Sequence, residues 1–294
     1  MLPREILKRI RKIEIVTERL VRDRMAGQYH SVFKGRGIAF SEVRHYIPGD
    51  DVRLIDWNVS ARMNDVFVKL FTEEREMTVL LLVDMSASGW FGSRVREKRD
   101  LAAEIAAVLA FSAIRNNDRV GLIIFTDEVE RFVPPKKGKR HVLRVVSEIL
   151  SYKAKSRRTS LASGLEFLGH VARRRAVTFL ISDFLAPLPS YERALRIASR
   201  RHDLIPVTIG DPLEEGLPNV GLVELEDPET GGVVLFDTGG PEAKAFARAA
   251  RAAGEARRAL FKRLSMDGID LRTDQPYLRA LTTFFEARAR RMRH

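Results

Sequence analysis

Three oxygen-bearing side chains follow one apolar segment of this sequence at a spacing that suits a hard cation. Residues 79–83 read V-L-L-L-V, and Asp84, Ser86 and Ser88 come directly after them. Such an aliphatic run is typical of a strand that is buried on both faces of a parallel sheet. The carboxyl ends of these strands open into the crevice where α/β sheets bind ligands. Because carboxylate and hydroxyl oxygens suit Mg²⁺ or Mn²⁺, the pattern predicts a site for one of these cations.

Two further oxygen donors occur at comparable places later in the chain. Residues 176–182, A-V-T-F-L-I-S, form a second apolar run that ends directly before Asp183, and Thr159 opens a segment with helical spacing. The predicted metal ligands are therefore Asp84, Ser86, Ser88, Thr159 and Asp183. An alternative stays open, because aspartate, serine and threonine side chains at such positions also cap loops and satisfy backbone groups.

The elements needed to position these residues alternate between strands and helices. Apolar runs predict strands at 66–71, 79–83, 119–125, 129–133, 176–182 and 204–209, and helical periodicity predicts helices at 97–115, 141–150, 191–201, 242–264 and 275–291. Residues 221–225 and 233–236 flank a turn and predict a hairpin. Alternating strands and helices indicate parallel βαβ units. The expected fold class is α/β, with a doubly wound, mainly parallel sheet flanked by helices.

The N-terminal quarter of the chain has a different character. Residues 2–24 carry an apolar stripe, which includes Ile10 and Ile13, and predict a helix. Residues 32–62 hold short apolar stretches and alternating charges, and predict a loop-rich cap that is pinned by Arg–carboxylate pairs and anchored by Tyr46 and Trp57. We therefore expect two parts: residues 1–75 as a helix and cap packed on the main domain, and residues 76–294 as the α/β domain.

Composition narrows the class of protein. The chain has 294 residues, no cysteine and a formal net charge of +12. It has no apolar run of the length of a membrane-spanning helix, which takes about 18 residues or more, and its first residues lack the apolar core of a signal peptide. These features predict a cytoplasmic protein without a membrane span. The basic residues are scattered and lack interleaved aromatic residues, so nucleic acid is not an expected partner, although binding to nucleic acid or another anionic surface stays open as an alternative.

Catalysis is a second alternative for the same residues. Asp84 and Asp183 at strand ends could hold Mg²⁺ for a phosphoryl-transfer hydrolase. However, Ser86 stands where aspartate-based phosphatases carry a second aspartate, and the sequence contains neither Gly-x-Ser-x-Gly nor His-Glu-x-x-His. The six histidines show no ligand spacing. The sequence therefore favours a protein that is not an enzyme.

The same residues carry a resemblance to known families. Asp84-x-Ser86-x-Ser88, followed by Thr159 and Asp183 in later loops, resembles the metal-ion-dependent adhesion site of von Willebrand factor A domains. The stretch from Phe33 to Arg62, especially R-H-Y-I-P-G-D-D-V-R-L-I-D-W-N-V-S-A-R at 44–62, is similar to the signature of the bacterial domain-of-unknown-function 58 family. That family couples this segment to a von Willebrand factor A-like domain, and the likeness covers nearly the whole chain.

The resemblance implies a metal-dependent protein-binding module. In such sites, hydroxyls that correspond to Ser86, Ser88 and Thr159 bind the metal directly, while Asp84 and Asp183 act through water, and a partner's Asp or Glu completes the shell. Members of the family are associated with MoxR-type AAA+ ATPases, which implies an adaptor role in the assembly or maturation of client proteins. One departure is the segment Gly89-Trp90-Phe91-Gly92, whose aromatic residues either pack on the cap or contact a partner.

Overall fold

The computed structural model of the chain describes residues 8, 10–15, 29, 32, 39–72, 76–92 and 96–291. Residues 10–15 are helical, and Ile10 and Ile13 are buried. The N-terminal helix is therefore confirmed over this stretch, and the rest of the predicted helix lies outside the described residues.

Strands and helices alternate along much of the described chain, with four places where two elements of the same kind follow one another. The strands are β1 (Ala39–His45), β2 (Phe67–Thr72), β3 (Thr78–Asp84), β4 (Arg119–Phe125), β5 (Val129–Lys136), β6 (Val177–Ser182), β7 (Asp203–Gly210), β8 (Leu222–Glu226), β9 (Val233–Asp237) and β10 (Ile269–Arg272). The helices are α1 (Trp57–Met63), α2 (Lys98–Arg115), α3 (Lys139–Ser151), α4 (Leu161–Val171), α5 (Leu188–Arg201), α6 (Pro212–Glu215), α7 (Pro241–Arg263) and α8 (Tyr277–Arg291).

The chain divides into two compact units. One consists of Phe33–Met77, and the other of Met1–Val32 together with Thr78–His294. The boundary at Met77 lies close to the one predicted at residue 75, but the N-terminal segment groups with the larger unit. The packing of residues 1–75 on the main domain as one cap stays a prediction.

The smaller unit is a hairpin with a short helix. Strands β1 and β2 pair antiparallel, and the Asp56 side chain caps α1 by accepting from the backbone N–H groups of Asn58 and Val59. The Arg44 guanidinium makes two hydrogen bonds to the Asp50 carboxylate, at 2.8 and 2.7 Å. This contact is one of the Arg–carboxylate pairs that the sequence predicts for residues 32–62. The prediction of Trp57 as an anchor is wrong, because its side chain is 69% exposed at the start of α1.

The larger unit is built on a six-stranded sheet with the order β10-β7-β6-β3-β4-β5. All neighbouring strands pair parallel except β5, which pairs antiparallel with β4 at the edge of the sheet. The edge position accommodates Pro134 and Pro135, which cannot donate to a neighbouring strand. The chain moves from β3 to β4 on one side and later to β6 on the other, so strand order reverses at β3. The predicted α/β fold with a doubly wound, mainly parallel sheet is confirmed.

The core explains why β3 lies at the centre. Its residues 79–83 are all at most 1% exposed, because helices cover both faces of the sheet. On one face, Leu80 and Leu82 pack in a cluster with residues of α4, α5 and α7. Gly164 of α4 allows a close approach there, since a Cβ atom at that position would lie 2.9 Å from the ring of Phe125. This packing fixes the start of α4, and with it Thr159, near the carboxyl end of β4.

Four elements escaped prediction. Strand β1 and helix α1 fall in the segment predicted to be loop-rich, and neither α6 nor β10 was predicted at all. Strand β10 reads I-D-L-R, which is too short for its alternation to stand out, and its strand geometry depends on pairing with β7. None of the helices in the described part of the chain is both long and apolar enough to cross a membrane.

His202 provides a test of the core packing. It follows α5, is 2% exposed, and neither ring nitrogen has a hydrogen-bond partner among the described residues. Burial, with Arg201 and Arg175 nearby, lowers the pKa of His202. Because the folded state disfavours the protonated ring, stability present at neutral pH is lost as the pH falls below about 6.5, the ordinary histidine value.

We therefore expect His202→Leu to flatten the fall in unfolding free energy between neutral and mildly acidic pH. The measurement is urea denaturation at several pH values. His170→Leu, at an exposed histidine of α4, serves as the matched control and should leave the pH profile unchanged. Parallel wild-type and His202→Leu profiles would contradict the assignment.

Candidate metal site

The end of β3 forms the centre of the candidate site. The Asp84 Oδ1 atom accepts from the backbone N–H of Ser86 at 3.0 Å, and its Oδ2 atom accepts from the Ser182 hydroxyl at 2.7 Å. The Ser86 and Ser88 hydroxyl oxygens lie 3.2 Å apart, and both residues are at least nine-tenths buried. The turn after β3 thus holds one carboxylate and two hydroxyls in a fixed arrangement.

Asp183 reaches the same edge from the neighbouring strand. Strands β3 and β6 pair parallel, with Val83 opposite Ile181, so their carboxyl ends lie side by side. The Asp183 Oδ1 atom accepts from the backbone N–H of Leu185 at 3.2 Å. Phe184, between them, has a φ of 55°, which is uncommon for a bulky residue and directs the chain away from the sheet directly after the carboxylate. Asp84 and Asp183 are distant in sequence, and the parallel pairing of β3 with β6 brings them close together in space.

A buried lysine balances part of this negative charge. The Lys98 Nζ atom lies 2.6 Å from Asp183 Oδ2 and also donates to Glu214 Oε1, and Lys98 is 3% exposed. Burial alone would lower the pKa of Lys98, but the two carboxylates outweigh it and hold this pKa above its ordinary value. Lys98 therefore carries its charge in the folded state and forms a three-member ion cluster, which we call the Lys98 cluster: Lys98, Asp183 and Glu214.

Asp84 makes no ion pair of its own among the described residues. Burial, with the nearby Asp183 carboxylate, raises the pKa of Asp84 to about 6. A bound cation would oppose both effects, because it favours the ionised form of a carboxylate that it contacts. Asp84 is therefore the group in this site whose charge would be stabilised most directly by a metal.

These side chains enclose a small cavity. Its volume is about 20 Å³, and Asp84, Ser86, Ser88, Lys98, Ser182 and Asp183 are among the residues that line it. A cavity needs roughly 10–15 Å³ to hold one water molecule. The space thus suits a single ion or water rather than an organic substrate.

Thr159 is placed differently from the other four predicted ligands. It is not among the described residues that line the cavity, and its hydroxyl donates to Glu229 Oε1 at 2.6 Å. Its loop is nevertheless tied to the serine turn, because the backbone N–H of Ala87 donates to the Arg157 carbonyl at 3.0 Å. The structure therefore brings Asp84, Ser86, Ser88 and Asp183 together and leaves Thr159 bonded to Glu229.

Glu229 lies in the turn between β8 and β9, and that turn is internally fixed. The Asp227 carboxylate accepts from the backbone N–H of Glu229 at 2.9 Å and from the Thr230 hydroxyl at 2.6 Å. Gly231 has a φ of 73°, a conformation that glycine adopts without strain. The turn is thus organised so that Glu229 is presented to Thr159.

The donor set fits a hard divalent cation. Asp84, Ser86 and Ser88 supply oxygens around a cavity of the right size, and such cations take oxygen ligands together with waters. Two predicted ligands have other partners: Asp183 pairs with Lys98, and Thr159 bonds to Glu229. Either would have to change partner, or act through water, to take part in holding a metal.

Sequence reasoning missed four residues of this arrangement. Ser182 precedes Asp183 directly, and its place at a strand end was a signal that could have been used. Lys98, Glu214 and Glu229 offered none, because each stands in an ordinary charged stretch of sequence. Their roles arise from the folding of distant segments onto the edge of the sheet.

The Lys98 cluster yields a prediction about stability. Lys98→Met would leave Asp183 and Glu214 buried without their cation, and breaking a buried ion pair in this way costs about 3–5 kcal/mol. Urea denaturation should show a loss of this size. Lys262→Met, at an exposed lysine of α7, is the matched control and should change the free energy of unfolding by less than about 0.5 kcal/mol.

The combined variant Lys98→Met, Asp183→Asn, Glu214→Gln should recover much of that loss, because the two carboxylates that lost their cation are then neutral. If Lys98→Met were as stable as Lys262→Met, the ion cluster would not contribute as described.

Comparison with known proteins places the chain in a family. A family model described as "Protein of unknown function DUF58" matches residues 42–256. The chain is 34% identical over 284 residues to the uncharacterized protein Rv1480 of Mycobacterium tuberculosis (strain ATCC 25618 / H37Rv). The aligned region covers 96% of this chain and 89% of that protein. It is also 30% identical over 131 residues to the uncharacterized protein YeaD of Bacillus subtilis (strain 168), which covers 43% of this chain and 29% of that protein.

Solved structures similar to this chain include conserved hypothetical protein BatB from Bacteroides thetaiotaomicron. The TM-score is 0.47 at 15% identity, with 73% of this chain and 99% of that chain covered. The VWA domain of SpRpn10 matches with a TM-score of 0.41 at 12% identity, covering 71% of this chain and 94% of that chain. The family model and the relatives together bear out the resemblance carried by residues 44–62: the chain belongs to the DUF58 family.

Proposed function

We propose that this protein is a non-enzymatic, metal-dependent protein-binding module. Asp84, Ser86 and Ser88 would hold Mg²⁺ or Mn²⁺, with Asp183 and Thr159 contributing directly or through water. The observation that carries the proposal is the cavity of about 20 Å³ lined by a carboxylate and two serine hydroxyls at the carboxyl end of β3. When bound there, the cation supplies residual positive charge that attracts a carboxylate of a protein partner.

The protein's own groups support binding rather than turnover. Asp84 accepts from Ser86 and Ser182, which orients its carboxylate, and Lys98 neutralises Asp183. No histidine is among the described residues that line the cavity, so the common general acid and base is missing from that lining. The cavity holds an ion and leaves no room for the body of a substrate.

The surroundings of the cavity offer apolar surface to a partner. Trp90, two residues after Ser88, is 53% exposed and lies under the Arg99 guanidinium at 4.3 Å from its ring centroid. Leu185, two residues after Asp183, is 56% exposed. Exposed aromatic and aliphatic side chains around a charged centre are the composition expected of an interface core.

Metal binding to the folded state should raise the melting temperature. The gain is about 1.4 kcal/mol when the metal concentration is tenfold above Kd, which corresponds to a rise of a few degrees for a protein of this size. Asp84→Asn should abolish the response to Mg²⁺ and Mn²⁺, and so should Ser86→Ala combined with Ser88→Ala. Differential scanning fluorimetry is the measurement.

Asp270→Asn, at an exposed aspartate of β10, is the matched control and should retain the full response. A wild-type melting temperature that does not change with metal would count against the site. Hydrolysis of p-nitrophenyl phosphate that depends on Mg²⁺ and is lost in Asp84→Asn would replace the binding module with a hydrolase.

The family resemblance extends the proposal to a partner. We infer a cytoplasmic adaptor that works with a MoxR-type AAA+ ATPase in the assembly or maturation of client proteins. Binding to a MoxR-type ATPase of the same organism should require Mg²⁺ and should be lost with Ser86→Ala and Ser88→Ala, because these changes remove two proposed metal ligands without adding charge. Biolayer interferometry with the purified ATPase is the measurement. Binding that persists in EDTA and in the double variant would contradict the proposal that the partnership depends on a metal.

A further inference from the structure

A second recess adjoins the candidate metal site and differs from it in size and charge. Its volume is about 500 Å³, which is within the range of roughly 300–1,000 Å³ typical of ligand-binding pockets. The loop after β6, the end of β7, α6 and one side of α7 form its walls, and Asp183 lines both this recess and the small cavity. We call it the α7 cleft.

The α7 cleft carries three arginines that have no carboxylate partner among the described residues. Arg251, Arg257 and Arg258 all project from α7 and line the cleft. Arg257 donates to the Asp183 backbone carbonyl at 3.3 Å, which ties it to the edge of the metal site. Its Nε atom is buried without a hydrogen-bond partner in the described part of the chain. A guanidinium left in this state has donors available for an anion.

A buried hydroxyl in the same cleft has also no partner. Thr208 of β7 is 4% exposed and lines the cleft, and its Oγ1 atom makes no hydrogen bond within the described residues. Buried polar atoms are nearly always satisfied, so an unsatisfied one in the wall of a cleft indicates a group that comes from outside.

The acidic residues of the cleft, by contrast, have partners. Asp183 and Glu214 pair with Lys98, and Glu215 pairs with Arg272 at 2.8 Å. Asp211 accepts from the Thr273 hydroxyl at 2.5 Å and from the backbone N–H of Leu213. All four acidic residues of the cleft are thus hydrogen-bonded or paired, whereas Arg257 bonds to a backbone carbonyl only and Arg251 and Arg258 make no ion pair among the described residues. The guanidinium groups are therefore the charged groups of the cleft that are available to a ligand.

The remaining wall distinguishes between classes of anion. It contains Phe184, Leu185, Pro187, Leu188 and Pro189. Phosphate sites are commonly built from clustered backbone N–H groups, and Pro187 and Pro189 have none. Arginines beside an apolar wall with prolines suit a peptide that presents carboxylates and apolar side chains in turn.

We propose that the α7 cleft binds an acidic peptide segment of the protein partner, with one acidic side chain against Arg251, Arg257 and Arg258 and a neighbouring one directed to the candidate metal site. This deepens the proposed function and rests on it for the second contact only. The first contact depends on the arginines, with Thr208 available to a peptide backbone or hydroxyl group.

The test uses the full chain and a fluorescein-labelled peptide that combines glutamate with leucine, and its counterpart with glutamine in place of glutamate. Fluorescence anisotropy is measured in Mg²⁺ and in EDTA. The glutamate peptide should bind and the glutamine peptide should not. Arg251→Gln combined with Arg258→Gln should raise Kd about tenfold or more in both solutions. The loss of even one charge-assisted hydrogen bond to the peptide is enough to change Kd by about this factor.

The matched control is Lys244→Gln combined with Arg248→Gln, which removes the same charge from α7 at residues outside the cleft lining. It should leave Kd within about twofold of the wild-type value, since screened charges at a distance contribute little. Arg257→Gln tests separately whether the arginine that bonds to the Asp183 carbonyl contributes to peptide binding. Circular dichroism and thermal melting establish that each variant is folded.

The outcomes separate this proposal from the metal site. EDTA and Asp84→Asn could leave Kd unchanged while the Arg251 and Arg258 variant weakens binding. That result would support the α7 cleft as the binding site and would contradict the contact with the candidate metal site. If both double variants weaken binding equally, or if no glutamate peptide binds, the α7 cleft proposal is overturned. It is also overturned if inorganic phosphate or ATP binds in an arginine-dependent manner and the peptide does not.

Discussion

The buried ammonium of Lys98 is the interaction on which the carboxyl edge of the sheet depends. Parallel pairing of β3 with β6 forces Asp84 and Asp183 together, and the folding of α6 adds Glu214. Three carboxylates in one partly desolvated region would repel one another strongly. A lysine that is 3% exposed pairs with two of these carboxylates and reduces their mutual repulsion, so that the sheet edge can be both acidic and folded.

The same charge balance connects stability to the proposed function. Lys98 supplies one positive charge against the carboxylates of Asp183 and Glu214, while burial and the nearby Asp183 raise the pKa of Asp84 to about 6. Asp84 is therefore the carboxylate of this edge that makes no ion pair with Lys98, and it lies next to two serine hydroxyls. A cation there would gain more from Asp84 than from Asp183, because Asp183 already pairs with Lys98.

The hairpin of β8 and β9 introduces a second constraint. Glu229 accepts from the hydroxyl of Thr159, so one of the five predicted ligands is occupied by a carboxylate of the chain itself. A partner's carboxylate that engages Thr159 would have to displace Glu229. The α7 cleft adds three arginines beside a small cavity whose lysine already pairs with Asp183 and Glu214.

The sequence by itself determined the class of fold and most of the candidate site. The unbroken apolar run before Asp84 required a strand buried on both faces, and the alternation with helices required parallel pairing, so the oxygen donors had to meet at one edge. Only the tertiary structure decided what those donors contact. Lys98, Glu214, Glu229 and Arg257 come from helices and turns distant in sequence, and their burial and pairing depend on packing that local patterns do not encode. The short β10 shows the same limit, because a four-residue strand exists through its neighbour and not through its own propensity.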